Sequence, residues 1–178
     1  MPVSLLSFAA AGPPAGDETA RFVLRNDPPR QARLPLAERY RRALERRDVV
    51  FSSDHGRCLI DTVVDRQARD AYRCFGVAAD QKRLLALVAW DDRRSPVDVR
   101  AAIRSAVTRA MNREFGRQAW IGEDNPTDGL DRDGQGSGAK RVRNRTQFDY
   151  LVDRYLPAQT GQVWTVTRGF VNHAPQPA

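Results

Sequence analysis

The stretch Leu84-Leu85-Ala86-Leu87-Val88-Ala89-Trp90 decides the fold. It shows no apolar–polar alternation, and a strand reads this way when both of its faces are covered. Just upstream, Phe75-Gly76-Val77-Ala78-Ala79 is joined to it through the polar residues Asp80, Gln81, Lys82 and Arg83, which predicts a β-hairpin. A sheet containing such a strand needs helices to cover it.

The best-signed helix starts at Ser95. Ser95-Pro96-Val97-Asp98 offers an N-cap, a proline at the first helical position and an acid at the third. Val99, Ala102, Ile103, Ala106, Val107, Ala110 and Met111 then recur at three- and four-residue spacing as far as Gly116. A second helix is expected after Thr146, read with Asp149 as its capping pair. Phe148, Leu151, Val152 and Tyr155 form its apolar face and Pro157 its stop. A third is expected over 35–48, where Leu36, Tyr40 and Leu44 step by four.

Segment 58–64 fits either a helix face, through Leu59, Ile60, Val63 and Val64, or a strand. Short strands are expected at 21–24, 49–51, 118–121 and 163–171, and a turn over 52–56. The resulting class is α+β: a small mixed or antiparallel sheet with two or three amphipathic helices packed on it. Its strands are the hairpin, 118–121 and 163–171, with the helices after Ser95 and Thr146 on one face.

The 178 residues suit one domain. Gly12, Pro13, Pro14, Gly16, Pro28 and Pro29 mark residues 1–33 as a loosely ordered arm. Residues 34–171 then form a single domain with a long loop at 122–145, and 172–178 a tail. Apolar residues at 41% and charged residues at 29% are ordinary globular usage.

The net charge of +7 attracts polyanions. Only two of the 29 basic residues, Lys82 and Lys140, are lysine, a skew that coding composition alone could produce. The apolar start, residues 1–11, lacks the basic residues of an export signal, and no apolar run is long enough for a spanning helix. With Cys58 and Cys74 read as reduced thiols, a cytoplasmic location and no membrane association are expected.

Three constellations could carry chemistry. In the first, Asp131-Arg132-Asp133-Gly134-Gln135-Gly136 imitates the opening of a calcium loop, but Val142 stands where a closing Glu belongs, and no metal or cofactor is expected. Glu123, Asp124, Asp128, Asp131 and Asp133 nevertheless leave open a metal-dependent phosphodiester-cleaving or phosphoryl-transfer enzyme. In the second, Gly134 to Lys140 resembles a phosphate-cradling loop, but Ala139 and Arg141 occupy the positions of the second Gly and the Ser or Thr. In the third, His55 lies three residues from Cys58, a spacing that could activate a thiolate, although a Cys beside Leu59 and Ile60 more often packs in a core.

The plainest reading is a phosphate clamp. Lys140, Arg141, Arg143 and Arg145 lead into the helix after Thr146, and Arg100 and Arg104 lie on the polar face of the helix after Ser95. These six are the candidate nucleic-acid-binding residues. The expected function is a nucleic-acid-associated, DNA-binding or accessory protein. The alternatives are the enzyme above and a protein-interaction or effector-like domain, with an acidic partner, whose basicity is compositional.

Overall fold

The computed structural model describes residues 1–10, 49–117, 120–121 and 138–173. The expected strand at 21–24, the expected helix at 35–48 and the acidic residues of 123–133 lie outside them. Strands β1 (Val3–Ala9), β2 (Tyr72–Ala79), β3 (Arg83–Trp90), β4 (Ala139–Arg141), β5 (Gly161–Thr165) and β6 (Gly169–His173) form one sheet in the order β4-β1-β3-β2-β5-β6. Every neighbouring pair is antiparallel. Helices α1 (Ser53–Asp65), α2 (Pro96–Phe115) and α3 (Arg145–Tyr150) complete the described fold, and α3 continues as a π-helical turn over Leu151–Tyr155. Among the described elements, the order β1-α1-β2-β3-α2-β4 with strands 4-1-3-2 is a split β-α-β arrangement, widened on the β2 side by the β5–β6 hairpin.

β3 explains the layering. All of its residues from Leu84 to Trp90 are buried. Leu84, Ala86, Val88 and Trp90 join a core with Leu59, Ile60 and Val63 of α1 and Val99, Ile103, Val107 and Met111 of α2. Leu85 and Leu87 point the other way, into a second core with Leu151, Val152 and Leu156. The helices after Ser95 and Asn144 therefore cover opposite faces, not one face as expected. A strand apolar on both sides would otherwise leave one face in water.

α1 settles the ambiguity of 58–64. The Ser52 hydroxyl accepts from the His55 N–H, and His55 Nδ1 accepts from the Ser52 N–H, so the residues expected to form a turn cap and open a helix instead. Gly56, Leu59, Ile60 and Val63 then fall on one buried face. Residues 49–51 are not a strand, although Phe51 donates its N–H to the Gln81 carbonyl and is buried. α2 forms as expected, with reciprocal Ser95–Asp98 caps.

The largest differences lie at the N-terminus and at the sheet edges. Val3–Ala9, expected as part of an arm, pairs with both β3 and β4, and Ser4, Leu6 and Phe8 are buried. Of the strand expected at 118–121, residues 118 and 119 lie outside the described residues, and Ile121 forms an isolated bridge to Ala10. The strand expected at 163–171 is a hairpin of two strands turned at 166–168, and its second strand takes in residues 172 and 173 of the expected tail.

A bulge in β2 joins the two halves of the second core. The β2–β3 register shifts between Cys74 and Gly76. Phe75, the extra residue, packs against the α3 core, and Leu156 occupies the space a side chain on Gly76 would need, its Cδ1 lying 2.7 Å from where a Cβ would stand. Leu156 is fully buried. Leu156→Ala is expected to destabilise the fold by about 2–5 kcal/mol, read as a lower urea midpoint with an unchanged slope.

Candidate nucleic-acid interface

The basic run expected as a loop has a defined path. Gly138 adopts φ +96 and its carbonyl accepts from the Ser7 N–H at 2.6 Å. Lys140 then stands opposite Leu5 and Arg141 opposite Ser4 on the edge strand β4. Because side chains alternate across a strand, Lys140 shares the α3 side with Leu5, whereas Arg141 shares the α2 side with Ser4. The run continues through Val142, whose N–H meets the Val3 carbonyl at 2.8 Å, into the first turn of α3.

Asn144, not Thr146, caps that helix. Its Oδ1 accepts the Gln147 N–H at 2.8 Å, and the Gln147 side chain in turn accepts the Arg143 N–H. These backbone donors are therefore satisfied internally, which removes part of the phosphate clamp expected at the helix start. Arg145 pairs with Asp149 at 2.8 Å, with its own side chain 83% exposed. Lys140, Arg141 and Arg143 are exposed as well.

Arg100 has a different task. Its Nε and Nη2 both donate to the Ser7 carbonyl, at 3.2 and 2.9 Å, and its guanidinium lies over the Phe8 ring. A Cβ on Gly138 would stand 2.6 Å from the same guanidinium. Arg100 thus ties α2 to the junction of β1 and β4 as a structural clamp, with Nε and Nη2 engaged by the Ser7 carbonyl. Arg104 lies one turn further along the helix and is half-buried.

The structure adds a cation that sequence reasoning missed. Arg73 of β2 sits over Phe75 at 5.2 Å, Phe75 meets Phe148 edge to face at 4.9 Å, and Arg145 sits over Phe148 at 5.5 Å. Two guanidiniums therefore flank one aromatic pair. The β2 bulge is what turns Phe75 towards α3, and bulges leave little trace in a single sequence.

The other constellations resolve into structure. His55 is a cap residue, packed edge-on against Phe115 at 4.4 Å and Trp120 at 4.9 Å. Trp90 and Trp120 are buried, and Trp164 is half-buried opposite Phe170. Among the described residues no group of three His, Cys, Asp or Glu side chains is placed to hold a metal ion. An open groove of about 670 Å³ between α1 and α2 carries both signs, Asp54, Asp61, Asp65 and Glu114 alternating with Arg57, Arg66, Arg109 and Arg113.

Cys58, which lines that groove, has its thiol pushed up by burial, and burial pushes Cys74 up to about 12 from 9.0. A thiolate nucleophile is disfavoured at both positions. An unfolded chain would release the Cys74 proton near pH 9, while the folded chain keeps it to about pH 12. The unfolded state then binds fewer protons across that window, so this contribution is fully present below pH 9 and is lost as pH rises. Stability is expected to fall above pH 9 by about 1.4 kcal/mol per pH unit from this thiol. Urea titrations at stepped pH should show the slope, and Cys74→Ala should flatten it. Compared with known proteins, the chain matches no family model, no curated sequence and no solved structure.

Proposed function

We propose that the protein is a nucleic-acid-associated binding module that grips phosphates along the edge formed by β4 and the start of α3. The observation that carries this reading is the array of exposed cations on that edge, Lys140, Arg141, Arg143 and Arg145, with Arg73 on the far side of the Phe75–Phe148 pair. Guanidinium forks match phosphate oxygens, and among the described residues β4 is an edge strand with no strand paired on its outer side. The Arg145–Asp149 pair is exposed and so of little energetic weight; a phosphate can compete for that guanidinium.

Arg100 passes out of the proposed contact set. Arg100 serves the β1–β4 junction, and its loss should act on stability before it acts on binding.

Fluorescence anisotropy with labelled oligonucleotides over a salt series tests the reading. Replacing Lys140, Arg141, Arg143 and Arg145 by Gln is expected to weaken binding by more than about tenfold between 50 and 200 mM salt and to flatten the salt dependence, each lost phosphate contact removing roughly 0.7–0.9 from the log–log slope. These side chains are exposed, so the melting temperature should hold. Equal affinity and slope in the native chain and the variant would instead make the basicity compositional.

A further inference from the structure

We infer that the bound nucleic acid is single-stranded, with a base stacked on Tyr150; this rests on the phosphate-binding reading and specifies its ligand. Tyr150 ends α3 and is 57% exposed, unlike the aromatic residues on either side of it, Phe148 and Tyr155, which pack into the second core. An exposed tyrosine ring gains little from water. A base stacked on it would remove that ring face from solvent, whatever the base.

The π-helical turn sets the ring's position. In an α-helix the nearest neighbour of Tyr150 along the axis would be Arg154. Here the helix widens, and the Leu156 N–H bonds back five residues to the Leu151 carbonyl at 2.9 Å. Tyr155 is thereby brought beside Tyr150, with ring centroids 6.4 Å apart and planes tilted by 37°. Tyr155, packed against the second core, lies on one side of the Tyr150 ring, and more than half of Tyr150 remains exposed.

The charges around this shelf suit a strand running past it. Arg143 and Arg145 lie on its N-terminal side and Arg154 on its C-terminal side, all exposed. Of the two acids of this segment, Asp149 is bound to Arg145, and Asp153 is exposed. A duplex keeps its bases stacked on one another and offers no free base face to a tyrosine, so the arrangement favours a single strand.

The test is anisotropy with the full chain and four probes: single-stranded DNA and RNA of about 12 nucleotides, the DNA duplex, and a DNA strand of equal length made of abasic sites. At least one base-bearing single strand is expected to bind about tenfold tighter than the duplex and the abasic strand. Tyr150→Ala should erase that margin without changing the salt slope or the melting curve, and Tyr150→Phe should keep it. If single strand, duplex and abasic strand bind alike and Tyr150→Ala changes nothing, while the four-residue Gln variant still weakens all of them, stacking is refuted and phosphate binding stands. If the native chain binds no probe, both are refuted.

Discussion

Burial of β3 on both faces is the constraint from which the remaining architecture follows. Leu84 to Trp90 place apolar side chains alternately into two cores, and neither core can be left open to water. One side needs the long α1–α2 layer, with Leu59, Ile60, Val63, Ile103, Val107 and Met111. The other needs α3, whose short helix and π turn deliver Leu151, Val152 and Leu156 over Leu85 and Leu87. The bulge at Phe75 and the missing side chain at Gly76 let Leu156 seat directly on the sheet. The same device brings Phe75 to Phe148, so the packing that closes the second core also aligns Arg73 with Arg145.

A chain with so many arginines invites the inference that all of them bind something, and the structure separates their uses. Arg100 clamps the Ser7 carbonyl, and Arg94 donates to the Asp70 carbonyl. Arg66 pairs with Asp70 through two hydrogen bonds, Arg83 with Asp80, and Arg57 with Asp61 while its guanidinium covers Phe170. These residues tie one element to another or brace a helix turn. Net charge alone therefore says little about a partner. The proposed interface rests on placement: cations on a three-residue edge strand and the helix start that follows it.

What could be read from the sequence was what local chemistry dictates. The two-sided β3 announced itself through its lack of alternation, and α2 through its cap, its proline and its buried stripe. What escaped was set by distant partners. β1 pairs across dozens of residues with β3 and β4, and its mixed sequence, with Ser4 buried between half-buried Val3 and Leu5, shows no clean period because both of its faces are covered. β4 is three residues long in a Gly- and Arg-rich setting and becomes a strand only because β1 offers it an edge. The cap of α3 was misplaced by two residues because Thr146 and Asn144 are both good capping residues, and only the backbone decides which one bonds to Gln147. The basic run was visible as a cluster; its distribution over two sides of an edge strand was not, nor was Arg73.

The π turn shows how stability and the proposed recognition depend on one another. A helix that stayed α-helical beyond Tyr150 would rotate the residues after it by about a twentieth of a turn per residue relative to the observed path, since 3.6 residues per turn give way to a wider winding. Leu156 would then leave Gly76, and Tyr155 would leave Tyr150. The wider turn is a poorer helix in isolation and persists here because Leu151, Val152 and Leu156 are all buried by it. Core packing thus stabilises a helix geometry that the backbone would not choose alone, and that geometry braces an exposed aromatic ring between flanking cations. The same apolar contacts that close the second face of β3 therefore fix the proposed stacking shelf.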